Sequence, residues 1–169
     1  MELVQLVDEL DNNIGIMEKM QAHREAKLHR AVSVFIFNSK GELLLQRRAK
    51  NKYHSGNLWT NTCCSHPRPE EPTIDAVKRR LFEEMGMQCH LEHQFEFIYK
   101  AELDNHITEY EYDHVFFGEC DSEPLINTEE VSEWTYMSME DTEQLLNESP
   151  ELFTIWFKLI FDKVKELRK

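Results

Sequence analysis

Two adjacent cysteines stand in a β-rich segment that ends at a histidine, a pattern able to carry acid–base, nucleophilic or metal chemistry. In a strand over 58–66, side chains alternate between faces, so Cys64 and His66 share one side and Cys63 takes the other. Cys64 beside His66 could be a nucleophile with its base, a proton donor or part of a metal site. Taken alone, each cysteine is better explained as a small buried residue, and that is our interpretation of Cys63.

Glu109 and Glu111 share one face of a predicted strand over 108–118, and tyrosines occupy the other face. Two carboxylates that face the same way repel each other unless they are exposed or share a cation. Residues 101–157 contain 16 Asp or Glu and neither Lys nor Arg, so no base close in sequence compensates the pair. The pattern therefore favours a cation near these glutamates.

Eight histidines are many for a chain of this length. His23 and His29 flank the entry to the first core strand, and His66 ends the cysteine segment. Three histidines with two glutamates suit Zn²⁺ or Mn²⁺ better than Mg²⁺, although sequence spacing alone does not bring them together. The remaining histidines are expected to have no role in a site: His54, His90, His93, His106 and His114.

A helix is predicted over 73–85, with Thr73 as N-cap and Gly86 just past its end. Its apolar face includes Val77 and Leu81, and Glu84 projects close to that face. Arg80 lies one turn before Glu84. The two could form a surface pair that contributes a few tenths of a kcal/mol, or Glu84 could be a partly buried ligand for a cation. Geometry alone favours the surface pair.

The elements that must position these residues form a mixed α/β or α+β domain. Alternation and turn residues predict strands over 2–10, 31–37, 42–47, 58–64, 92–101, 108–118 and 131–137, with turns at 11–13 and 38–41. Besides the central helix, a short helix opens at Ser138 and a last amphipathic helix opens at Ser149-Pro150. The apolar stripe predicted for the last helix consists of Leu152, Trp156, Leu159, Ile160, Val164 and Leu167.

Composition excludes several classes of protein. A net charge of −13 makes bulk-charge binding to nucleic acid or to an anionic membrane unfavourable. The sequence has no apolar run long enough to span a membrane and no signal-peptide pattern at its start. Four cysteines without scaffold-like spacing predict reduced thiols and a cytoplasmic protein. We expect one domain over 1–169, and both a monomer and a homodimer stay open.

The loop and the predicted central helix together resemble the Nudix box, a loop–helix–loop that holds Mg²⁺ against a diphosphate. The matching residues are Ser65-x5-Glu71-x7-Arg79-Arg80-Leu81-x-Glu83-Glu84-x-Gly86-Met87. Ser65 stands where Gly is usual, and Arg80 stands where Glu is usual. The resemblance thus implies a diphosphate site, while the missing glutamate argues against the metal assembly that activates water in Nudix hydrolases.

Three further segments carry a closer resemblance, namely Leu28-His29-Arg30-Ala31-Val32-Ser33, Leu58-Trp59-Thr60-Asn61-Thr62-Cys63-Cys64-Ser65-His66-Pro67 and Glu109-Tyr110-Glu111. From about Lys19 to the last helix the chain resembles the type I isopentenyl-diphosphate isomerases, which have a Nudix fold. They interconvert isopentenyl and dimethylallyl diphosphate. The W-T-N-x-x-C-x-H-P segment is highly specific, and Ser65 and Arg80 then become expected variants of the box.

The resemblance implies roles for individual residues. The catalytic group consists of Cys64, Glu111 and Tyr99. The ligands of a Mn²⁺, Zn²⁺ or Mg²⁺ ion are His23, His29, His66, Glu109 and Glu111, and Glu84 binds the Mg²⁺ that accompanies the diphosphate. The bases around the phosphates are Lys19, Arg48, Lys52 and Arg80. Trp156 lies near the reacting carbons, with packing in the core as the alternative.

The chemistry of this isomerisation fits such parts, because an acid and a base on opposite faces of an alkene can move its double bond through a tertiary carbocation. A Nudix pyrophosphohydrolase is the nearest alternative, and a non-catalytic module with a structural metal is a third. The expected partner is a small prenyl diphosphate. The sequence does not assign acid and base between Cys64 and Glu111, since the reaction is reversible.

Overall fold

A computed structural model describes residues 1–168 of the chain. Nine strands, β1–β9, span Leu3–Val7, Asn13–Glu18, His29–Phe37, Leu43–Arg48, Trp59–Thr60, Cys63–Ser65, Leu91–Leu103, Ile107–Glu119 and Val131–Met137. Four helices, α1–α4, span Lys19–Arg24, Thr73–Met85, Met139–Glu148 and Ile155–Leu167. The mixed sheet with flanking helices and a C-terminal amphipathic helix confirms the predicted fold class.

Strand β3 lies at the centre of the mixed sheet. It pairs in parallel with β8 and antiparallel with β1, β4 and β6. Strand β8 forms a long antiparallel hairpin with β7, closed by the one-turn helix Asp104–His106. The register places His29 beside Glu111 on β8 and Ser33 beside Cys64 on β6. The segments of the predicted site therefore converge on one central strand.

The two faces of the sheet carry separate apolar cores. Even-numbered residues of β3 face α2, where Val34 packs in one cluster with Leu81. Odd-numbered residues face α4, where the ring of Phe35 stacks on Phe157 with centroids 6.2 Å apart. Strand alternation thus assigns each side chain of β3 to one helix or the other.

Helix α2 agrees closely with the prediction. Its residues are Thr73–Met85, and the backbone N–H of Gly86, at a φ of 63°, donates to the carbonyl of Phe82. The predicted N-cap is wrong, because Pro72 occupies that position and Thr73 is already helical. Glu84 is 4% exposed and therefore lies in the wall of the core.

The predicted continuous strand over 58–66 is wrong. Strands β3 and β4 pair only at Phe37 and Leu43 and then diverge, and the segment enters the gap as two short strands. Its first half pairs with β4 and its second half with β3. Between them, Thr62 Oγ1 donates to the carbonyl of Leu44 (2.7 Å) and accepts from the N–H of Ile36 (2.9 Å). Asn61 and Thr62 therefore replace the missing backbone pairing.

The last helix differs from its predicted apolar stripe. Pro150 opens a separate one-turn helix, and α4 begins only at Ile155. Of the predicted stripe, Trp156, Ile160 and Val164 are buried, whereas Leu152, Leu159 and Leu167 are each more than 40% exposed. Phe157 and Phe161 complete the buried face instead, because the helix is rotated so that its aromatic residues meet the odd face of the sheet.

Two elements near the start of the chain escaped the sequence analysis. Strand β2 follows the predicted turn, and helix α1 carries Lys19 and His23. The Glu18 side chain caps α1 by accepting from the N–H groups of Met20 and Gln21. Among residues 1–168, no helix has both the length and the apolar character needed to span a bilayer.

Candidate active site and metal centre

A cleft of about 690 Å³ opens where the odd face of the sheet turns from apolar to polar. On β8 the apolar Val115 and Phe117 lie at one end of this face, and carboxylates lie at the other. The polar and aromatic groups that line the cleft include Ser33, Cys64, Tyr99, Glu109, Glu111 and Trp156. Strands β3, β6, β7 and β8 and helix α4 thus contribute to a single wall.

Four buried side chains form a compact donor cluster beside the cleft. One ligand atom from each lies within 4.8 Å of the others, and the residues are His23, His29, His66 and Glu111. His66 Nε2 lies 2.8 Å from Glu111 Oε1 and 3.2 Å from His29 Nε2. These separations are close to the roughly 3 Å between adjacent ligands of an ion bound at 2.0–2.1 Å.

Backbone carbonyls fix the rings of two of these histidines. Nδ1 of His23 donates to the carbonyl of Lys19 (2.7 Å), and Nδ1 of His29 donates to that of Lys27 (2.8 Å). Each bond places the free nitrogen, Nε2, toward the cluster, as metal-binding histidines require. Nε2 of His23 is buried and has no hydrogen-bond partner within residues 1–168. The donor set therefore fits a divalent ion.

Burial and pairing set the charge state of the cluster. Burial lowers the pKa of His66 to about 3, so its ring is neutral. Burial opposes ionisation of Glu111, but bonds to His29 and His66 hold the pKa of Glu111 well below its usual range. Burial also disfavours the charged His29, yet its bond to Glu111 raises the pKa of His29 overall. The cluster thus contains an ionised carboxylate and a neutral imidazole before any ion binds.

Tyr99 joins the two glutamates of β8. Its hydroxyl lies 2.8 Å from Glu109 Oε2 and 2.6 Å from Glu111 Oε2. Burial, followed by the two carboxylates, raises the pKa of Tyr99 well above its usual range, so the phenol stays protonated. The single hydroxyl proton of Tyr99 is shared between two carboxylate oxygens. Tyr99, on β7, thereby holds both glutamates in place.

Cys64 lies in a mostly apolar part of the cleft. It packs against Tyr99 and Trp156, and Arg48 Nη1 lies 3.8 Å from its sulfur. Burial raises the pKa of the Cys64 thiol to about 12, although Arg48 opposes this shift. The thiol is therefore protonated at neutral pH. Cys63 is fully buried in the other core, as predicted.

Trp156 and Arg48 lie side by side in the lining of the cleft. The Arg48 guanidinium lies 5.2 Å from the centroid of the Trp156 ring, and its Nη2 donates to the carbonyl of His54. The indole Nε1 is buried without a hydrogen-bond partner in the described part of the chain. Trp156 is both a cleft residue and a packed core residue, so the two interpretations of it are compatible.

Basic side chains surround the entrance of the cleft. The predicted bases Lys19, Arg48, Lys52 and Arg80 all line it, together with Arg68 and Arg79, which the sequence analysis did not propose. Several are held by acids: Lys19 Nζ lies 3.0 Å from Glu2, and Glu130 contacts both Lys52 and Arg80. A bound anion would have to replace these acids as the partner of the basic side chains.

Glu84 lies apart from the histidine cluster. Arg80 Nη2 donates to its Oε1 (2.6 Å), and Gln46 Nε2 donates to its Oε2 (2.8 Å). Arg80 also donates to Glu83 at 2.7 Å. The two glutamates at the end of the Nudix-like helix are thus bound by a guanidinium where the hydrolase pattern has another carboxylate.

Besides Arg68 and Arg79, two further groups in the site were not predicted from the sequence. His54, assigned no role, is buried with its Nε2 2.9 Å from Glu109 Oε1. Asp113 continues the face of Glu109 and Glu111 and accepts from the Ser33 hydroxyl (2.7 Å). Odd-position alternation along β8 was a usable signal for Asp113. No signal marked His54, which lies in a loop.

A model of the NUDIX domain matches residues 27–157 of the chain. A protein of Pectobacterium atrosepticum named isopentenyl-diphosphate Delta-isomerase is 51% identical over 96% of this chain and 91% of its own length. The isopentenyl-diphosphate Delta-isomerase 1 of Aromatoleum aromaticum is 49% identical over 97% and 93%. The chain belongs to the isopentenyl-diphosphate Delta-isomerase family of NUDIX-domain proteins. The resemblance inferred from its motifs is confirmed.

Solved structures of other proteins share the fold of this chain. The crystal structure of DR0079 from Deinococcus radiodurans superposes with a TM-score of 0.81 and 19% identity, covering 96% of this chain and 98% of that one. The MutT protein of Methanosarcina mazei gives 0.69 and 21%, covering 84% and 96%. At such identities the likeness concerns the fold alone.

Proposed function

We propose that this chain interconverts isopentenyl diphosphate and dimethylallyl diphosphate. The observation that supports this most is a cleft that combines a basic entrance with a protonated thiol, Cys64, beside Trp156 and two carboxylates. Relatives about half identical to the chain over nearly its whole length carry the name of this activity. The cleft offers each part that the reaction needs.

The reaction moves a double bond by exchanging two protons. A proton is added to the terminal methylene carbon of isopentenyl diphosphate, which leaves a tertiary cation, and a proton is then removed from the carbon on the other side. The total number of protons on the substrate is unchanged. The cation must be shielded from water and faced by π electrons or carboxylate. Trp156 and Glu111, which both line the cleft, are the groups we propose for this.

Cys64 and Glu111 are the proposed proton-exchanging pair. The thiol holds a proton at neutral pH, and Glu111 is ionised, so one group can donate while the other accepts. Each exchanges its role when the reaction reverses. Tyr99 holds Glu111 and Glu109 in place and offers a second proton close to the carboxylates.

The proposed metal ligands are His23, His29, His66, Glu109 and Glu111, with Mn²⁺, Zn²⁺ or Mg²⁺ as the ion. When bound, a divalent ion there would supply positive charge that tunes the acidity of its carboxylate neighbours. For the Mg²⁺ that accompanies the diphosphate we propose Glu84, which would then exchange one of its bonds, to Arg80 or Gln46, for the ion.

The diphosphate would bind to the bases at the entrance. Lys19, Arg48, Lys52 and Arg80 line the cleft on the side of α1, α2 and the loop after β4. Charge-assisted bonds from these groups anchor one end of the substrate, so that binding energy there orients the small apolar end against Cys64.

Two broader proposals accompany this function. We propose a single domain over 1–169, of which Lys169 lies outside the described residues. A cytoplasmic location is supported by the free thiols of Cys63, Cys64, Cys89 and Cys120.

The test is incubation with isopentenyl diphosphate, Mg²⁺ and Mn²⁺ in D₂O, followed by NMR. We expect dimethylallyl diphosphate with deuterium in its methyl groups. Cys64→Ala and Glu111→Gln should each lower turnover by about 10²–10⁴-fold, as for loss of a general acid or base, while both variants still unfold cooperatively on heating. Cys89→Ala and Glu102→Gln, which change residues outside the cleft lining, are the matched controls.

Release of inorganic phosphate or diphosphate without dimethylallyl product would contradict the isomerase proposal and favour hydrolysis. A Cys64→Ala variant with full turnover would leave the activity in place but remove Cys64 from its proposed role.

A further inference from the structure

His54 is a buried histidine that the proposed ligand set does not include. It follows Tyr53 in the loop after β4, and its side chain is 2% exposed. The ring lies 4.3 Å from the centroid of Tyr53, 5.7 Å from Trp156 and 6.2 Å from His23. Together with His23 and Glu109, it forms a second group whose donor atoms lie within 4.8 Å of one another.

The contact between His54 and Glu109 is short but is not aligned as a hydrogen bond. His54 Nε2 lies 2.9 Å from Glu109 Oε1, yet this nitrogen has no hydrogen-bond partner within residues 1–168. An N–H donor would point along the line to the oxygen. Adjacent ligands of one ion instead stand about 3 Å apart with both lone pairs directed at the ion, away from the line that joins them.

The other ring nitrogen of His54 agrees with this arrangement. Nδ1 lies 3.1 Å from Ser55 Oγ. If Nδ1 carries the proton and donates to Ser55, Nε2 is left with a free lone pair that faces a carboxylate oxygen. Two lone pairs at 2.9 Å repel each other unless a cation draws them together.

The two donor groups share His23 in a way that limits the number of ions. Nδ1 of His23 is already bound to the carbonyl of Lys19, so Nε2 alone can reach a metal. A single nitrogen lone pair serves one ion at a time. The first group and the second group must therefore compete for one ion or surround it together.

We propose that His54 is a sixth ligand of the metal centre, bound through Nε2 on the side of Glu109. The inference rests on the proposed function only in requiring that the histidine–glutamate cluster bind an ion. The donor atoms of the two groups do not all lie within 4.8 Å of one another, so ion binding would draw His54 and Glu109 toward the first group. Four histidines and two glutamates would then surround one divalent cation, and six donors suit an octahedral ion such as Mn²⁺. The loop after β4 is thereby tied to the cluster from the side of the cleft.

The test measures metal binding directly. Wild type, His54→Gln, His54→Ala, His66→Gln and the control His90→Gln, whose ring is exposed, are stripped with a chelator and titrated with Co²⁺ and with Mn²⁺. Affinity is read by competition with a chelating dye, and the visible absorption of bound Co²⁺ reports its ligand field. One ion per chain is expected in wild type.

Both His54 variants should bind at least about 10-fold more weakly, because even loss of a residue that only supports a ligand costs about 10–100-fold, and their Co²⁺ spectra should shift. His66→Gln should lose affinity as well, and His90→Gln should match wild type. Unchanged affinity and an unchanged spectrum in His54→Gln, with a loss in His66→Gln, would overturn the role of His54 alone. No binding by wild type, or full binding by His66→Gln, would overturn the metal centre itself.

If either His54 variant unfolds on stripping, the rise in Tm on adding Mn²⁺ is compared in the other. A rise equal to that of wild type contradicts the proposal, because a ligand that binds the folded state raises Tm according to its affinity.

Discussion

Asp113 and Ser33 form a buried pair at the edge of the proposed site that the isomerisation does not use. Ser33 faces the cleft beside Cys64, and its hydroxyl donates a hydrogen bond to Asp113 Oδ2. Burial, and then the charge of Glu111, raises the pKa of Asp113 well above its usual range. The carboxyl is therefore protonated in the folded chain at pH values where it is ionised in the unfolded one.

This difference in proton binding predicts how stability depends on pH. The folded state keeps the Asp113 proton above the unfolded pKa of about 3.9, so the contribution of this residue to stability falls as pH rises toward the raised folded pKa. Relative to Asp113→Asn, wild type should lose about 1.4 kcal/mol of unfolding free energy per pH unit across that window. Urea denaturation at several pH values measures this.

Asp162→Asn, at an exposed position of α4, is the control for the substitution itself. A difference between wild type and Asp113→Asn that does not change with pH would mean that the buried carboxyl is ionised or solvated.

For single residues, the face that a strand residue occupies could be predicted from the sequence, whereas the burial of a loop residue could not. Strand alternation predicted which faces Glu109, Glu111 and Cys64 occupy without knowledge of the fold, and the family resemblance implied their roles. His54 was assigned no role because a loop residue has no periodicity, and its burial depends on contacts with Tyr53 and Trp156. The same holds for Arg68 at the entrance of the cleft.

Among the elements, the segment 59–65 has a structural role that its strand-like sequence does not indicate. It separates β3 from β4 and presents Cys64 to the cleft while Cys63 enters the opposite core. Asn61 Nδ2 donates to the carbonyls of Val34 and Cys63, and Gln46 Nε2 donates to the carbonyl of Thr62. Hydrogen bonds from buried side-chain amides and hydroxyls replace backbone hydrogen bonds between strands in this segment.

Replacing Thr62 by Val tests this arrangement. Valine has the same shape but leaves the N–H of Ile36 and the carbonyl of Leu44 without their partner, at a cost of about 1–3 kcal/mol for each buried group. The unfolding free energy from urea titration should fall accordingly. Thr108→Val, at a half-buried strand position of β8, should change it by less than about 0.5 kcal/mol, and equal effects in the two variants would contradict the bridging role of Thr62.

Long regular elements were predicted well, and short ones were not. Strand β9 and helix α2 have the predicted bounds because their patterns are complete within the element. The gap between β3 and β4 depends on pairing between distant residues, so it leaves no local pattern. Helix α4 was rotated in the prediction because phenylalanines at 157 and 161, which pack on the sheet, were not counted in the stripe.

For the molecule as a whole, the uneven distribution of charge has a place in the fold. The base-free stretch 101–157 contributes β8, whose carboxylates face the donor cluster, while the bases of the entrance come from the first hundred residues. A chain with a net charge of −13 thus presents a local basic entrance. The repulsion among the buried carboxylates is the part of this arrangement that a cation would relieve.

Metal removal should therefore lower the stability of the whole chain. Dialysis against a chelator should reduce Tm, and added Mn²⁺ or Zn²⁺ should restore it. The free energy of unfolding should rise with the logarithm of the ion concentration, by about 2.7 kcal/mol at 100 times Kd. Differential scanning calorimetry measures the change, with K⁺ at equal ionic strength as the control. A Tm that is independent of chelator and of both ions would contradict a bound ion.

One face of β8 carries acidic side chains at Glu109, Glu111 and Asp113, followed by core side chains at Val115 and Phe117. Because side chains alternate with a period of two, deleting one residue inside this strand would turn part of the sequence over. Carboxylates would enter the apolar core, or the core residues would face solvent. We therefore expect insertions and deletions to be tolerated only outside Ile107–Glu119, for example at the turn Asp104–His106. The number of residues between the site and the core along β8 cannot change without loss of one or the other.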